Sequence, residues 1–197
     1  MLLKGIRVGF VLTGSHCTFA KVIPQIEKII SEGAEVFPVV SYAVSSTDTR
    51  FGSSKEWCDK LQDLTKKPLI TTIVEAEPVG PGKLFDILVV APCTGNTLAK
   101  LANGITDTPA LMAIKAHMRN QRSVVIAIST NDGLGFNAKN IAVLLNTKGV
   151  YLVPFGQDNP LNKSNSIVAK TDKIFDTVLS ALEGKQVQPV LVEYKDV

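Results

Sequence analysis

Hydroxyl residues and glycines gather in four short segments, each directly after an apolar run, where side chains and free backbone amides can hold an anion. The first segment is Thr13-Gly14-Ser15-His16-Cys17-Thr18. Gly14 lets the backbone come close to a ligand, and Ser15 with the amides of the following helix offers donors backed by the helix dipole. The same residues also suit a plain strand-to-helix turn with a Ser or Thr cap. The second segment, Ser41 to Gly52, carries Ser41, Ser45, Ser46, Thr47, Thr49 and Arg50, a set suited to phosphate or carboxylate and equally to a solvated loop. The third is the most informative: Pro92-Cys93-Thr94-Gly95-Asn96-Thr97 leads into Leu98-Ala99-Lys100-Leu101-Ala102-Asn103-Gly104-Ile105-Thr106-Asp107. A proline there is expected to end a strand at the ligand edge, and Asn96 supplies both donor and acceptor. The fourth segment, Ser129 to Asn137, holds Asn131, Asp132, Gly133 and Gly135.

Proton transfer needs a titratable group within hydrogen-bond reach of the reacting atom, and Asp132 and His16 are the candidates. Asn-Asp-Gly is also a ready turn sequence, so a turn role competes for Asp132. His117 lies inside a helical stretch and reads as structural. Cys17, Cys58 and Cys93 are odd in number and widely spaced, which points away from a disulfide framework or a zinc cluster and towards a reducing compartment. Cys17 and Cys93 fall at expected helix starts, where thiolates are favoured, although a small buried cysteine is the commoner case. Gly133-Leu134-Gly135-Phe136-Asn137-Ala138 matches a dinucleotide fingerprint, with Asp158 about 20 residues on. However, Ser129 to Asp132 separate strand from glycines, and little alternating sequence follows. A glycine-bearing substrate loop is the favoured reading.

The elements that must position these segments alternate between strand and helix. Strands are expected over Ile6–Leu12, Glu35–Val40, Leu69–Val74, Asp86–Ala91, Ser123–Ser129, Val150–Pro154 and, as an edge, Pro189–Tyr194. Helices are expected over Phe19–Ser31, from the capping box Ser53-Ser54-Lys55-Glu56 to about Lys66, over Thr97–Gln121 with a break near Thr108-Pro109, and over Asn137–Lys148 and Thr171–Glu183. Continuous apolar runs such as Asp86-Ile87-Leu88-Val89-Val90-Ala91 are those of parallel strands covered on both faces. The pattern predicts a Rossmann-like or flavodoxin-like parallel sheet with helices on both faces, one domain over residues 1–197, with the ligand beyond the carboxyl ends of the strands.

Composition narrows the partners. Hydrophobic residues make up 45% of the 197 and charged residues 20%, with a formal charge of +3. That is an ordinary globular balance with no basic stripe for nucleic acid and no apolar run long enough to span a bilayer, so a cytoplasmic protein is expected.

The third segment resembles the Pro-Ala-Ser-Ala-Asn-Thr loop, and the Ala-Lys-x-Ala-x-Gly-x-x-Asp that follows it, of the flavoprotein family that includes the flavin-containing cysteine decarboxylases. Thr94 stands where that family has its phosphate-loop serine, Asn96 and Thr97 are retained, and Cys93 and Gly95 replace two alanines. The resemblance implies that Ser15, Ser41, Thr94 and Asn96 surround FMN, the first three near its phosphate, with Gly14 and Thr97 completing the cofactor set. The fourth segment sits where the family clamps its substrate with Pro-x-Met-Asn, and only Asn131 matches. The family's methionine, tryptophan and catalytic histidine have no counterpart, which speaks against decarboxylation of a peptidyl cysteine.

These departures, with Asn131-Asp132-Gly133-Leu134-Gly135, Val153-Pro154-Phe155-Gly156-Gln157-Asp158-Asn159-Pro160 and Lys163-Ser164-Asn165-Ser166, are similar to one branch of the family, the B subunits of dipicolinate synthases, over essentially the whole chain. That likeness implies a sporulation oxidoreductase converting a dihydrodipicolinate-type precursor to dipicolinate, with NAD(P) used through an A-type dehydrogenase partner. It further implies a homo-oligomer built on trimers, in which a neighbour completes each flavin pocket. For a dicarboxylate substrate, Arg50, Asn131, Lys163 and the amides near Gly133 and Gly135 are the expected anchors. Alternatives are an FMN-dependent decarboxylase and a non-catalytic partner that has kept the fold and lost the flavin.

Overall fold

A computed structural model describes residues 1–194. It begins with β1 (Arg7–Leu12), a 3-10 turn at His16–Thr18, α1 (Phe19–Ser31), β2 (Glu35–Val40), the short α2 (Tyr42–Ser46), α3 (Ser54–Thr65) and α4 (Ile73–Ala76). Then come β3 (Ile87–Thr94), α5 (Gly95–Ala102), α6 (Pro109–Met118), β4 (Val124–Thr130), α7 (Ala138–Leu145) and β5 (Val150–Leu152). Among the described residues the last elements are β6 (Phe155–Asn159), β7 (Lys163–Ala169) and α8 (Ile174–Leu182).

Local chemistry sets the helix starts. Ser53 and Glu56 form the expected capping box on α3, and Thr108 caps α6 ahead of Pro109, whose missing N–H costs nothing in a first turn. On α1 the buried residues Phe19, Val22, Ile23, Ile26 and Ile29 recur at helical spacing and form one apolar stripe. The strands β1, β3 and β4 are almost wholly buried because both faces are covered. One layer contains α1 and α8, which pack together, while α4 and α6 pack together elsewhere on the sheet.

The sheet runs β2-β1-β3-β4-β7-β6, and β5 also pairs with β4. Pairing among β2, β1, β3, β4 and β5 is parallel, as predicted. The order reverses between β1 and β3, so the connections leaving them part and open a crevice. The edge of β4 is divided: Val124 to Ile126 pair with β5, whereas Ser129 and Thr130 pair antiparallel with β7.

Several expectations are corrected. Leu69–Val74 is not a strand. Ile70 makes one bridge to Val39, and then the Thr72–Glu75 capping box turns the chain into α4. Pro92 does not end its strand, since β3 continues to Thr94 through an irregularity in register between Val90 and Cys93. The helix expected to reach Lys148 stops at Leu145, and the strand expected to reach Pro154 stops at Leu152. The β6–β7 hairpin has no counterpart among the expected elements, and Pro189–Tyr194 contributes only a bridge from Leu191 to Phe155. No helix among the described residues is long and apolar enough to cross a membrane.

Candidate functional site

A cleft of about 810 Å³ lies at the carboxyl edge of β1, β3 and β4, with the β6–β7 hairpin contributing one wall. Its floor is organised by Thr13, a buried residue at the end of β1. The Thr13 hydroxyl donates to the Pro92 carbonyl at 2.7 Å and accepts the Thr94 N–H at 2.9 Å, tying the first and third loops together. Ser15 Oγ lies 2.7 Å from Ser129 Oγ, which joins the first loop to the end of β4. Thr94 caps α5 by accepting the Thr97 N–H at 3.3 Å. Hydroxyls from three strand ends therefore meet on one side of the cleft.

Beside this cluster, two polar atoms are buried without a partner: Ser41 Oγ and His16 Nε2. The other ring nitrogen of His16 lies 3.1 Å from the Gly14 carbonyl, and the ring packs on Phe19. Gly14 is needed for packing as well as access, since a Cβ there would lie 2.9 Å from Ala43 Cβ in α2.

The fourth loop is built around a carboxylate. Asp132 Oδ1 accepts from the Thr130 hydroxyl, and Asn137 Nδ2 donates to both carboxylate oxygens at 2.8 and 2.9 Å. These bonds, Thr130 first and then Asn137, hold the Asp132 carboxyl below the ordinary carboxylate range. Behind them Asn140 donates to Asn137 Oδ1 at 2.9 Å, and Asn103 donates to Asn140 Oδ1 at 3.3 Å. A line of amides thus connects the fourth loop to the far end of α5. Gly95, the first residue of α5, faces the carboxylate. A Cβ on it would come within 3.0 Å of Thr130 Oγ1, Asn137 Nδ2 and Asp132 Oδ1.

The expected site residues divide into four groups. Gly14, Ser15, Thr94, Asn131, Asp132 and Lys163 line the cleft together. Ser41, His16 and Thr97 sit behind or beside it, with Thr97 buried and 3.1 Å from Thr94 Oγ1. Asn96 is exposed, and Arg50 is exposed with its guanidinium over the Phe51 ring, off the cleft wall. The expected amide anchors are engaged elsewhere: the Gly135 N–H donates to the Asp132 carbonyl and the Leu134 N–H to the Asn165 carbonyl. Gly133 is packed under β7, where a Cβ would stand 2.5 Å from Ile167 Cγ1. Lys163 pairs with Asp158 at 3.1 Å, which places the acid of the would-be dinucleotide fingerprint on the hairpin.

Lining residues to which the sequence reading gives no individual role include Lys21 of α1, Ser129, Thr130, Ser166 and Lys170. The Ser129-Thr130 step is visible in the sequence as the polar end of a strand. Ser166 enters only as the end of a motif, and Lys21 and Lys170 carry no signal before α1 and the hairpin are placed. The histidine read as structural is so: His117 is buried, its Nε2 lies 3.1 Å from the Ser123 carbonyl, and burial pushes it down to about 4. Cys93 is fully buried and its thiol is pushed up to about 12, so it is no thiolate, whereas Cys17 lies exposed on the cleft wall. No group of three or more metal-ligating side chains occurs among the described residues.

The profile of the Flavoprotein family matches residues 2–183. A relative, the B subunit of dipicolinate synthase of Bacillus subtilis (strain 168), is 55% identical over 191 residues, covering 97% of this chain and 96% of the relative. The chain belongs to the Flavoprotein family, in its branch of dipicolinate synthase B subunits. A crystal structure of the B subunit of dipicolinate synthase from Bacillus halodurans has the same architecture, with a TM-score of 0.90, 50% identity, and coverage of 98% of this chain and 99% of that one. The FMN-dependent cysteine decarboxylase SpaF matches with a TM-score of 0.68 and 18% identity over 93% of this chain and 98% of that one, a likeness of fold alone.

Proposed function

We propose that this chain is the B subunit of a two-subunit dipicolinate synthase whose cleft holds a mononucleotide of FMN type. In this reading an A-type dehydrogenase subunit brings the nicotinamide cofactor, and the two together oxidise a dihydrodipicolinate-type precursor. The precursor ring gives up a hydride to the nicotinamide and a proton to a base, and becomes the aromatic pyridine dicarboxylate. The observation that carries the mononucleotide assignment is the convergence of the first and third loops on Thr13, which brings Ser15, Thr94 and the open end of α5 to one cleft.

The residues present fit the phosphate end of such a group. Ser41 Oγ is buried and unpartnered, a donor awaiting an acceptor, and Ser15 and Thr94 add hydroxyls that can turn from their present partners. Ser15, Ser41 and Thr94 would hold the phosphate, and a flavin bound there would supply a site able to accept two electrons. Thr130 and Asn137 hold the Asp132 carboxylate on the cleft wall, and it is the group offered there as the base that takes the ring proton. Lys163 is paired with Asp158, and Lys21 and Lys170 are the cleft-wall cations offered to a dicarboxylate. A homo-oligomer built on trimers is part of this reading, and a monomeric mass by light scattering at micromolar concentration would remove it.

Reconstitution tests the assignment. Pyridine-dicarboxylate formation is assayed with this chain, with an A-type dehydrogenase, and with both, each with a nicotinamide cofactor. Turnover only in the mixture is the expected result, and full turnover by the isolated chain would overturn the two-subunit reading. The visible spectrum of the purified chain after incubation with FMN reads the cofactor separately.

A further inference from the structure

We propose that Tyr194 is a ligand-binding residue of this cleft: its ring packs against the flat heteroaromatic ring of the molecule held there. The inference rests on the reading of the cleft as the site of an FMN-type mononucleotide and a pyridine-type acid. Flavin and dipicolinate both present a flat, electron-poor ring to the protein. The first and third loops offer such a ring only small and polar side chains, among them Gly14, Ser15, Thr94 and Gly95. Tyr194 is the one aromatic side chain among the described residues that line the cleft. Aromatic faces are the usual partners of flat rings, through buried area and offset stacking.

Tyr194 reaches the cleft because the chain after α8 is fastened along β5 and β6. Gln186 holds Leu152 of β5 at both backbone atoms: its Nε2 donates to the carbonyl at 2.6 Å and its Oε1 accepts the N–H at 2.8 Å. Further on, the Phe155 N–H donates to the Val190 carbonyl and the Val192 N–H to the Phe155 carbonyl, each at 2.9 Å. These two bonds make the parallel bridge between Leu191 and Phe155. Gly156 admits the segment this close, since a Cβ there would stand 2.5 Å from the Val192 carbonyl oxygen. Val190 also packs on the core. Tyr194 follows three residues after Leu191 and lines the cleft with Gln157 and Asp158, which follow two and three residues after Phe155. The tyrosine is 40% exposed, so its ring has open area to give to a ligand. A segment that only closed the edge of β6 would need no aromatic ring at the cleft.

Binding of FMN and of dipicolinate is measured separately by isothermal titration calorimetry, with the full chain as wild type, Tyr194→Ala and Tyr194→Phe. Tyr194→Ala is expected to weaken at least one of the two ligands by about tenfold, the scale of one stacked ring. Tyr194→Phe keeps the face and is expected to stay within about threefold of the wild type, a rescue that separates contact with the ligand from a general loss of structure. The ligand that weakens identifies which ring lies on the tyrosine. Wild-type affinity for both ligands in Tyr194→Ala overturns the role of Tyr194 and leaves the mononucleotide site standing. Tyr194→Phe as weak as Tyr194→Ala overturns it too, because the hydroxyl and not the face would then carry the binding. A wild-type chain that binds dipicolinate and not FMN removes the mononucleotide reading, and Tyr194 is then judged on dipicolinate alone. A chain that binds neither removes both.

Discussion

The two neighbours along the outer edge of β4 are built in different ways. The half formed by β1, β3, β4 and β5 is parallel, buried on both faces and held by apolar packing: Val8, Phe10, Leu88, Val90, Val124 and Ile126 are fully enclosed. The β6–β7 hairpin is antiparallel, with exposed Lys163, Ser164 and Asn165, and it pairs with β4 at Ser129–Val168 and Thr130–Ile167. One half supplies stability and fixes the strand ends. The other supplies a cleft wall with little core of its own, and elements of that kind open at lower free energy than the core.

The strongest test of this contrast is Phe85→Ala. Phe85 is fully buried, its ring occupies the space above Gly9, and it packs on Phe37 with ring centroids 5.5 Å apart. Truncation leaves a cavity in the parallel half and is expected to cost about 3–5 kcal/mol, read from the urea midpoint. A loss below about 1 kcal/mol would mean that the core does not rest on this half.

The contact between the halves should respond less in stability and more in local amide exchange. In Gly133→Ala the new methyl meets Ile167 Cγ1 at 2.5 Å and must push the fourth loop away from β7. A stability loss of about 1–3 kcal/mol is expected, as for other overpacked sites. Amide exchange should quicken in the hairpin and fourth loop and stay unchanged in β1 and β3. Exchange that quickened uniformly would show that the two halves open together.

The contrast also explains what can be read in the sequence. The parallel half announces itself through unbroken apolar runs, the capping pair Ser53 and Glu56 marks a helix start that the structure keeps, and the break expected near Thr108-Pro109 is the capped start of α6. The first, third and fourth loops are legible for the same reason, because each follows a buried strand. The hairpin is hidden: Phe155–Asn159 and Lys163–Ala169 lack strict alternation, and their pairing depends on backbone bonds that no side chain advertises. Leu69–Val74 misleads through its β-branched residues, although Thr72 and Glu75 are the capping pair that decides it. At the site, Gly95 looks like a small change from alanine. Its reason is the Asp132 carboxylate, a contact between segments far apart in sequence.

A pH titration probes the core from another side. The folded-state value for His117, about 4, lies below the ordinary 6.5, chiefly because burial disfavours the charged ring. The unfolded chain therefore takes up the proton first. The contribution of neutral His117 is complete above 6.5 and is lost as pH falls from there towards about 4. The urea midpoint should fall across this window, and His117→Gln, which keeps an amide donor for the Ser123 carbonyl and cannot titrate, should flatten that part of the profile. An identical slope in the variant would assign the loss to other groups.

The smallest effect belongs to the tip of the hairpin. Leu161 is 88% exposed between β6 and β7, so replacing it with serine removes almost no buried apolar area from the isolated chain. The backbone bond that shapes the turn runs from the Asn162 N–H to Asn159 Oδ1 and does not involve the leucine side chain. Leu161→Ser is therefore expected to change stability by no more than about 0.5 kcal/mol, the ordinary range for surface positions. The measurement is the urea midpoint at two protein concentrations about a hundredfold apart. A chain in which the tip touches nothing gives the same small shift at both. A larger loss confined to the higher concentration would mean that the tip is covered by another copy, and the division into a packed half and a bare wall would then hold for the single chain and not for its assembly.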